Sequence, residues 1–208
     1  MIQSANLQER YVVLDVETTG LSPWKGDRVI EIGAVALEDG DLMAEFSTLI
    51  QVPRTIPFCA SQIHGITDEM LIGQPTPEEI FPALDAFISD SILVAHNARF
   101  DLGFLRREYE LLGTRFHHRH ICTLEMSRSR FPHLRNHKLE TVYRHLIGMN
   151  GDRGNDAEAG GHDRISAENP DRVPRMKDRI KPPPRKQTHR ALDDARMVAR
   201  IWLAMKVR

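Results

Sequence analysis

The chain contains only two cysteines in 208 residues, Cys59 and Cys122, which is too few for a disulfide framework or a cysteine-rich zinc module. It has no run approaching about 18 uninterrupted apolar residues, so no membrane-spanning helix and no membrane partner are expected. The polar N-terminal segment, residues 1–10, lacks the apolar core of a signal peptide. These absences predict a soluble protein in a reducing, cytoplasmic setting.

The chain also lacks an excess of charge of either sign. Lysine and arginine total 28 and acidic residues total 29, so the formal net charge is -1. A nucleic-acid partner could therefore be held only by a local basic patch or through bound cations. Hydrophobic residues make up 41% and charged residues 27%, which is an ordinary globular balance. Together with the length, this composition predicts a single domain over residues 1–208.

The apolar segments predict three strands at the start of the chain, followed by alternating helices and strands. The turn-forming residues Glu38–Asp41 separate the second and third strands and predict a hairpin. This order of elements is typical of the α/β class. The predicted strands are 11–14, 28–37, 44–52 and 92–95, and the predicted helices are 75–89, 97–112, 124–130, 138–146 and 188–206.

Residues 149–187 interrupt this pattern. They contain almost no apolar side chains, with acidic residues in the first half and basic residues in the second. Such a segment cannot bury enough surface to offset the entropy of ordering it, which predicts a flexible polar insertion. The alternative is a basic arm that contacts nucleic-acid phosphates near the following helix.

Three segments carry candidate catalytic residues. Asp15 and Glu17 are two positions apart in a predicted strand, so both carboxylates face the same side. Their mutual repulsion would be relieved by a divalent cation such as Mg²⁺ or Mn²⁺. The segments His96–Asp101 and His189–Asp194 each open a predicted helix. Each segment alone has an ordinary structural explanation as a turn, a cap or a helix start.

Taken together, the three segments resemble the DnaQ-like, or DEDDh, family of 3′–5′ exonucleases, which includes the epsilon proofreading subunit of bacterial DNA polymerase III. Residues 15–20 match the family motif D-x-E-T-T-G, residues 96–101 match H-N-x-x-F-D, and residues 189–194 match H-x(4)-D. The segments 28–35 and 63–67 also resemble family segments. The resemblance implies an RNase H-like fold, with a mixed central sheet whose first three strands are antiparallel and which is flanked by helices.

The resemblance also implies a mechanism with two divalent metal ions. His189 would be the general base that deprotonates the attacking water. Helix geometry alone leaves Asp193 and Asp194 open as the last ligand, and the family spacing selects Asp194. The implied metal ligands are Asp15, Glu17, Asp101 and Asp194.

By the same resemblance, the terminal nucleotide of a nucleic acid with a free 3′ end would be bound beside the first motif. For Leu21 and Phe100, ordinary core packing is an equal alternative, and Asn97 could instead only orient the start of its helix. DNA is favoured over RNA, and the product would be a nucleoside 5′-monophosphate. The implied substrate-binding residues are Thr19, Gly20, Leu21, His64, Asn97 and Phe100.

Two other functions remain open from the sequence. One is an RNA 3′-trimming exonuclease of the same family, and the other is a non-catalytic, polymerase-associated nucleic-acid-binding module. The chain stops directly after its last predicted helix, whereas the epsilon subunit continues into a tail that joins the polymerase, so a stand-alone exonuclease or a truncated chain is expected. Residues 117–122 have irregular histidine spacing and are interpreted as a polar loop entering a strand rather than a metal site.

Overall fold

The computed structural model describes residues 9–148 and 189–206. The core of the fold is a five-stranded sheet in the order β3-β2-β1-β4-β5. β1 pairs antiparallel with β2, and β2 with β3, whereas β4 runs parallel to β1 and β5 parallel to β4. The predicted mixed sheet with three antiparallel strands is confirmed. The strands are β1 Arg10–Thr18, β2 Val29–Glu38, β3 Asp41–Leu49, β4 Ile92–Ala95 and β5 His120–Cys122.

Helices cover both faces of the sheet. One face packs against α3 and α4, and the other packs against the last helix, α7. A 3-10 turn at Pro23–Lys25 follows β1, and a π-helical turn at Arg144–Gly148 follows α6. The α-helices are α1 Phe58–His64, α2 Asp68–Leu71, α3 Pro77–Ile88, α4 Ala98–Leu111, α5 Thr123–Arg130, α6 Leu139–Tyr143 and α7 Ala191–Lys206.

The alternation of β1 determines where its acidic residues lie. Leu14 and its even-numbered neighbours pack toward α3 and α4, whereas Val13 packs toward α7. Asp15 and Glu17 continue this odd-numbered set, so both belong to the α7 face. β1 is longer than the predicted 11–14, because its backbone pairing with β2 continues as far as Thr18.

The predicted hairpin between β2 and β3 is confirmed. Its two central residues, Asp39 and Gly40, have φ values of 52° and 89°, as a two-residue type I′ turn requires. The turn sets the start of the next strand, so β3 runs over Asp41–Leu49 instead of the predicted 44–52.

The helices differ from the predictions mainly at their ends. Helix α3 begins at Pro77, where the Thr76 backbone N–H donates to Glu79 Oε2 at 2.7 Å, and it tolerates Pro82 in its interior. Helix α7 begins at Ala191, three residues later than predicted. Helices α1 and α2 were not predicted, since they are too short to show a helical period. The predicted insertion at 149–187 lies outside the described residues.

Within the described part of the chain, every helix is too short or too polar to cross a membrane.

Candidate active site

The residues predicted to bind metal or to act as the base line one cleft of about 180 Å³. The cleft lies at the carboxyl ends of β1 and β4, where α4 and α7 begin. Because β1 and β4 are parallel neighbours, the residues that follow them meet at the same edge of the sheet. The five predicted metal-binding and catalytic residues in this cleft are Asp15, Glu17, Asp101, His189 and Asp194.

Three of the carboxylates form a tight cluster. Asp15, Glu17 and Asp194 each present an oxygen atom, and these atoms all lie within 4.8 Å of one another. Asp15 and Glu17 come from the same side of β1, and Asp194 comes from the first turn of α7, which packs on that face of the sheet. The cluster therefore joins positions nearly 180 residues apart in the sequence.

Asp101 reaches the cleft from the first turn of α4. Its side chain is buried, and Oδ1 accepts a hydrogen bond from the Val16 backbone N–H at 3.2 Å. This bond connects the start of α4 to Val16, the residue of β1 that lies between Asp15 and Glu17. Asp101 therefore has a structural partner on β1 and also lines the cleft.

Burial raises the pKa of every acidic group in the cleft, and repulsion between the cleft carboxylates raises it further for Asp15 and Glu17. Burial raises the pKa of Asp15 well above its usual range, and the charges of Asp101 and Asp194 raise it further. Burial, followed by the Asp194 charge, raises the pKa of Glu17 to about 9. Burial raises the pKa of Asp101 to about 7, opposed by backbone N–H groups. Burial also raises the pKa of Asp194, opposed by the contact with His189.

This donor set fits divalent cations. The ligands are carboxylate oxygens, which suit the hard ions Mg²⁺ and Mn²⁺ rather than a thiolate-preferring metal. A cation among them would favour the ionised carboxylates that the protein alone disfavours. The raised pKa values therefore fit a group of closely spaced, buried carboxylates that a cation would stabilise.

His189 lies directly beside this cluster. Its Nδ1 is 2.8 Å from Asp194 Oδ2, and its backbone N–H donates to the Ile63 carbonyl at 3.2 Å. Asp193, the alternative that the sequence left open, instead pairs with Arg196 at 3.0 Å and does not line the cleft. The structure thus places Asp194, and not its neighbour, among the other carboxylates.

His96 opens the second motif and has a different environment. Its Nδ1 is 2.9 Å from Thr123 Oγ1, and its Nε2 is 2.8 Å from the His137 carbonyl oxygen. Burial lowers the pKa of His96. Both ring nitrogens are engaged in joining β4 to the segments that follow, so His96 supports one wall of the cleft.

A second pocket, of about 630 Å³, adjoins the acidic cleft and shares several wall residues with it. Of the residues predicted to bind substrate, five line this pocket. The side chain of Leu21 is 84% exposed, so it is not a core residue. Phe100 packs partly on the core and borders both the pocket and the cleft. The five are Thr19, Gly20, Leu21, His64 and Phe100.

His64 is one of the buried polar residues that line this pocket. Its Nδ1 accepts a hydrogen bond from the Ile66 backbone N–H at 3.1 Å, so the other nitrogen, Nε2, carries the proton of the neutral ring. Nε2 has no hydrogen-bond partner of normal geometry among the described residues. Burial lowers the pKa of His64, and the nearby Thr18 carbonyl opposes this effect.

Hydrogen bonds to Arg28 hold the loop that follows β1 in place. The Thr19 backbone N–H donates to the Arg28 carbonyl at 2.9 Å, and Thr19 Oγ1 accepts from the Arg28 N–H at 3.0 Å. A Cβ on Gly20 would lie 2.4 Å from Asp27 Oδ2, so the absence of a side chain there lets Asp27 approach the loop. Asn97, also predicted to bind substrate, lines neither the cleft nor the pocket; it precedes α4 with a φ of 79°.

Two residues near the site were missed from the sequence. Glu31 is buried in β2 directly opposite Glu17, and it forms a bidentate ion pair with Arg190, the residue after His189. The available signals were a charged residue inside an otherwise apolar strand and an arginine adjacent to the candidate base. Neither signal identifies the partner, because the pair spans 159 positions of sequence.

Comparison with known proteins agrees with this geometry. A family profile described as Exonuclease matches residues 12–152. The chain is 40% identical over 141 residues to DNA polymerase III PolC-type of Clostridium perfringens, a match covering 68% of this chain and 10% of that protein. It is 39% identical over 144 residues to the 3'-5' exonuclease DinG of Bacillus subtilis, covering 67% of this chain and 15% of that protein. The chain thus corresponds to a small part of these much longer relatives.

The fold is also shared with solved structures. Exonuclease X in complex with 5' overhanging duplex DNA superposes with a TM-score of 0.65 at 23% identity, covering 95% of this chain and 91% of that one. This similarity confirms the RNase H-like arrangement of sheet and helices. With the family profile, the sequence relatives and the acidic cluster in agreement, the chain belongs to the DnaQ-like exonuclease family.

Proposed function

We propose that this protein is a metal-dependent 3′–5′ exonuclease that hydrolyses the terminal phosphodiester of single-stranded or frayed DNA and releases nucleoside 5′-monophosphates. The observation that carries the proposal is the cluster of Asp15, Glu17 and Asp194 oxygens within 4.8 Å of one another, with His189 at its edge. The relatives named as an exonuclease and as a DNA polymerase support both the reaction and the preference for DNA.

The four carboxylates in the cleft would hold two divalent ions, Mg²⁺ or Mn²⁺. When bound, such ions supply positive charge that offsets the phosphodiester, lower the pKa of water and stabilise a departing oxyanion. Asp15 and Glu17 are fixed by the strand, and Asp101 is fixed by its bond to Val16 N–H, so these ligands are preorganised. In the proposed role the carboxylates bind the ions, and no carboxylate transfers a proton.

His189 would act as the general base. Its Nδ1 faces Asp194 Oδ2 at 2.8 Å, and an ionised carboxylate can only accept, so Nδ1 carries the proton in this arrangement. Nε2 is then the nitrogen free to take a proton from the attacking water. The side chain is partly exposed, so the proton can pass to solvent. Asp194 thus orients the imidazole.

The adjoining pocket would receive the terminal nucleotide. Its lining is mostly apolar, with Leu21 and Phe100 available to contact a base or sugar. His64 also lines this pocket and would contact the nucleotide. Binding of this kind requires an unpaired end and is insensitive to sequence.

The wider context is also a proposal. Relatives in which the matched region is part of a DNA polymerase III PolC-type chain favour a role in proofreading or repair, with association to a DNA polymerase. The prediction of one domain over residues 1–208 and of a cytoplasmic location belongs to the same proposal. Co-migration with a replicative polymerase in size-exclusion chromatography is the expected sign of association.

A time course on end-labelled oligonucleotides tests the reaction. Matched single-stranded DNA and RNA with free 3′ ends are incubated with wild-type protein, in Mg²⁺ or Mn²⁺ and in excess EDTA. We expect stepwise shortening of the DNA from the 3′ end, release of 5′-monophosphates, and no reaction in EDTA. Asp15→Asn should abolish the reaction in either metal.

The outcomes separate the alternatives. Faster degradation of RNA than of DNA would show that RNA is the preferred substrate and would favour an RNA-trimming enzyme. Stable DNA binding without cleavage in either metal would overturn the proposed reaction and favour a non-catalytic module. Cleavage that continues in EDTA or in Asp15→Asn would show that the acidic cluster is not the active site.

A further inference from the structure

Glu31 is a buried acidic residue for which the proposed mechanism has no use. It is 2% exposed, and it lies opposite Glu17 in the β1–β2 pairing. An unpaired charge at this depth would be strongly unfavourable. Arg190 removes that cost, because its Nε lies 2.9 Å from Glu31 Oε1 and 3.1 Å from Oε2, and its terminal amino group lies 2.6 Å from Oε1. The Ala191 backbone N–H also donates to Oε2 at 3.1 Å.

The ion pair acts on the residue that would be the general base. His189 precedes α7, which begins at Ala191, so helical hydrogen bonding does not fix its position. Its backbone is instead held by the Ile63 carbonyl on one side and by the attachment of the next two residues to Glu31 on the other. If that attachment is lost, the backbone of His189 keeps its bond to Ile63 but loses the contact that holds it from the α7 side.

Asp194 depends much less on this attachment. It lies within α7, and its N–H bonds to the Arg190 carbonyl at 3.0 Å. Helix α7 is anchored further along by residues such as Val198 and Trp202, which pack in the core. Loss of the Glu31–Arg190 pair should therefore move His189 and leave Asp194 near its place.

We propose that Glu31 and Arg190 are positioning residues that act on the reaction through His189. The inference rests on the proposed exonuclease function. The planar guanidinium of Arg190 donates hydrogen bonds from two nitrogen atoms to the Glu31 carboxylate. A paired contact of this kind fixes the orientation of the arginine as well as its distance from the carboxylate. This geometry sets the imidazole beside Asp194 before substrate binds.

The structure contains a matched pair for comparison. Glu108, in α4, accepts from Arg28 Nε at 2.9 Å, from the Arg28 terminal amino group at 2.8 Å and from the Val29 N–H at 3.0 Å. One buried glutamate thus binds an arginine and the next backbone N–H, as Glu31 does. Glu108 does not line the cleft or the adjoining pocket. Glu108→Gln therefore controls for the loss of a buried ion pair as such.

The test is a double-mutant cycle with the full chain. Glu31→Gln and Arg190→Lys are each made in wild-type protein and in His189→Ala, and kcat and KM are measured on a single-stranded DNA oligonucleotide in saturating Mn²⁺. We expect kcat to fall about 10- to 100-fold in the wild-type background with KM changed less than about 2-fold. In the His189→Ala background we expect a further loss of less than about 2-fold, because the residue acted upon is already absent.

Equal losses in the two backgrounds would overturn the inference, since Glu31 would then act through the sheet or the carboxylates. An equal kcat loss in Glu108→Gln would also overturn it, because any buried ion pair would then have the same effect. Arg190 is 39% exposed at its side chain, so Arg190→Lys provides the test if Glu31→Gln fails to fold.

A second readout does not depend on activity. The imidazole NMR signals of His189 should shift or broaden in Arg190→Lys and stay unchanged in Glu108→Gln. Unchanged His189 signals in Arg190→Lys would overturn the positioning role. If wild-type protein showed no nuclease activity while these signals did shift, the proposed function would fail and the positioning of His189 would stand.

Discussion

Gly33 of β2 lies in backbone contact with Leu192 of α7: a Cβ added to Gly33 would be 2.1 Å from the Leu192 nitrogen. This close approach brings the start of α7, with Asp194, down onto the sheet beside β1. The acidic cluster therefore depends on the lack of a side chain in the neighbouring strand.

Gly33→Ala should disrupt this contact. The methyl group meets backbone atoms, which cannot rotate away, so we expect the free energy of unfolding to fall by about 1–3 kcal/mol or more. We also expect reduced nuclease activity, because the start of α7 must move. Chemical denaturation with Gly103→Ala as the control measures the effect, since a Cβ on Gly103 in α4 meets no atom within 4 Å. That control should be stabilised by about 0.5–1 kcal/mol; equal stabilities for the two variants would contradict the argument.

Asp193 and Asp194 should differ sharply in function. Asp194→Asn removes a carboxylate from the cleft and should lower kcat at least about 100-fold. Asp193→Asn breaks only a surface pair with Arg196 and should change kcat less than about 3-fold. Steady-state kinetics on a DNA oligonucleotide in Mg²⁺ compares them. A larger loss in Asp193→Asn would reverse the assignment of the last ligand.

The metal-free protein should lose stability from the acidic cluster as the pH rises. Glu17, with its pKa raised to about 9, and Asp101, with its pKa raised to about 7, hold their protons in the folded state after the unfolded chain has released them. Their contribution to the free energy of unfolding therefore decreases from about pH 4 through these folded-state values. Burial lowers the pKa of His64 and His96, so these side chains release their protons at a lower pH in the folded protein than in the unfolded chain. Their contribution to the free energy of unfolding therefore increases as the pH rises toward neutral.

Comparison with Glu17→Gln isolates the acidic contribution. In EDTA, the melting temperature of this variant should rise relative to wild type between about pH 5 and pH 8. Over this range position 17 of the wild type is ionised in the unfolded chain but protonated in the folded protein, whereas glutamine does not titrate. Saturating Mn²⁺ should stabilise the wild type more at pH 8 than at pH 5. A difference between the proteins that does not depend on pH would contradict the raised pKa of Glu17.

Leu21 should contribute to substrate binding without contributing to the fold. Leu21→Ala removes apolar surface from the edge of the pocket, so we expect KM for single-stranded DNA to rise up to about 10-fold with little change in melting temperature. Ile72→Ala is the matched control, since Ile72 is 74% exposed and does not line the pocket. An unchanged KM for Leu21→Ala would exclude this residue from the binding surface.

Local signals in the sequence were reliable where a short segment decides its own structure. The β2–β3 hairpin follows from Asp39–Gly40, and the common orientation of Asp15 and Glu17 follows from the period of a strand. Local signals failed for α1 and α2, which have seven and four residues and no helical period. They also failed at the start of β3, where the turn, rather than the apolar pattern, sets the boundary.

The sequence by itself determined the α/β class, the hairpin between β2 and β3 and the common orientation of Asp15 and Glu17, because strand periodicity and turn chemistry are properties of short segments. The resemblance of its motifs to a known family supplied the other candidate residues of the cleft. Only the tertiary structure decided that Asp193 pairs with Arg196 while Asp194, which the family spacing selects, lines the cleft, that Glu31 holds Arg190, and that His64 borders a pocket. These outcomes depend on the way α7 docks against β2 and on the approach of α1 to the end of β1. Such contacts form between residues that are far apart in the chain, so a pattern within one short segment does not predict them.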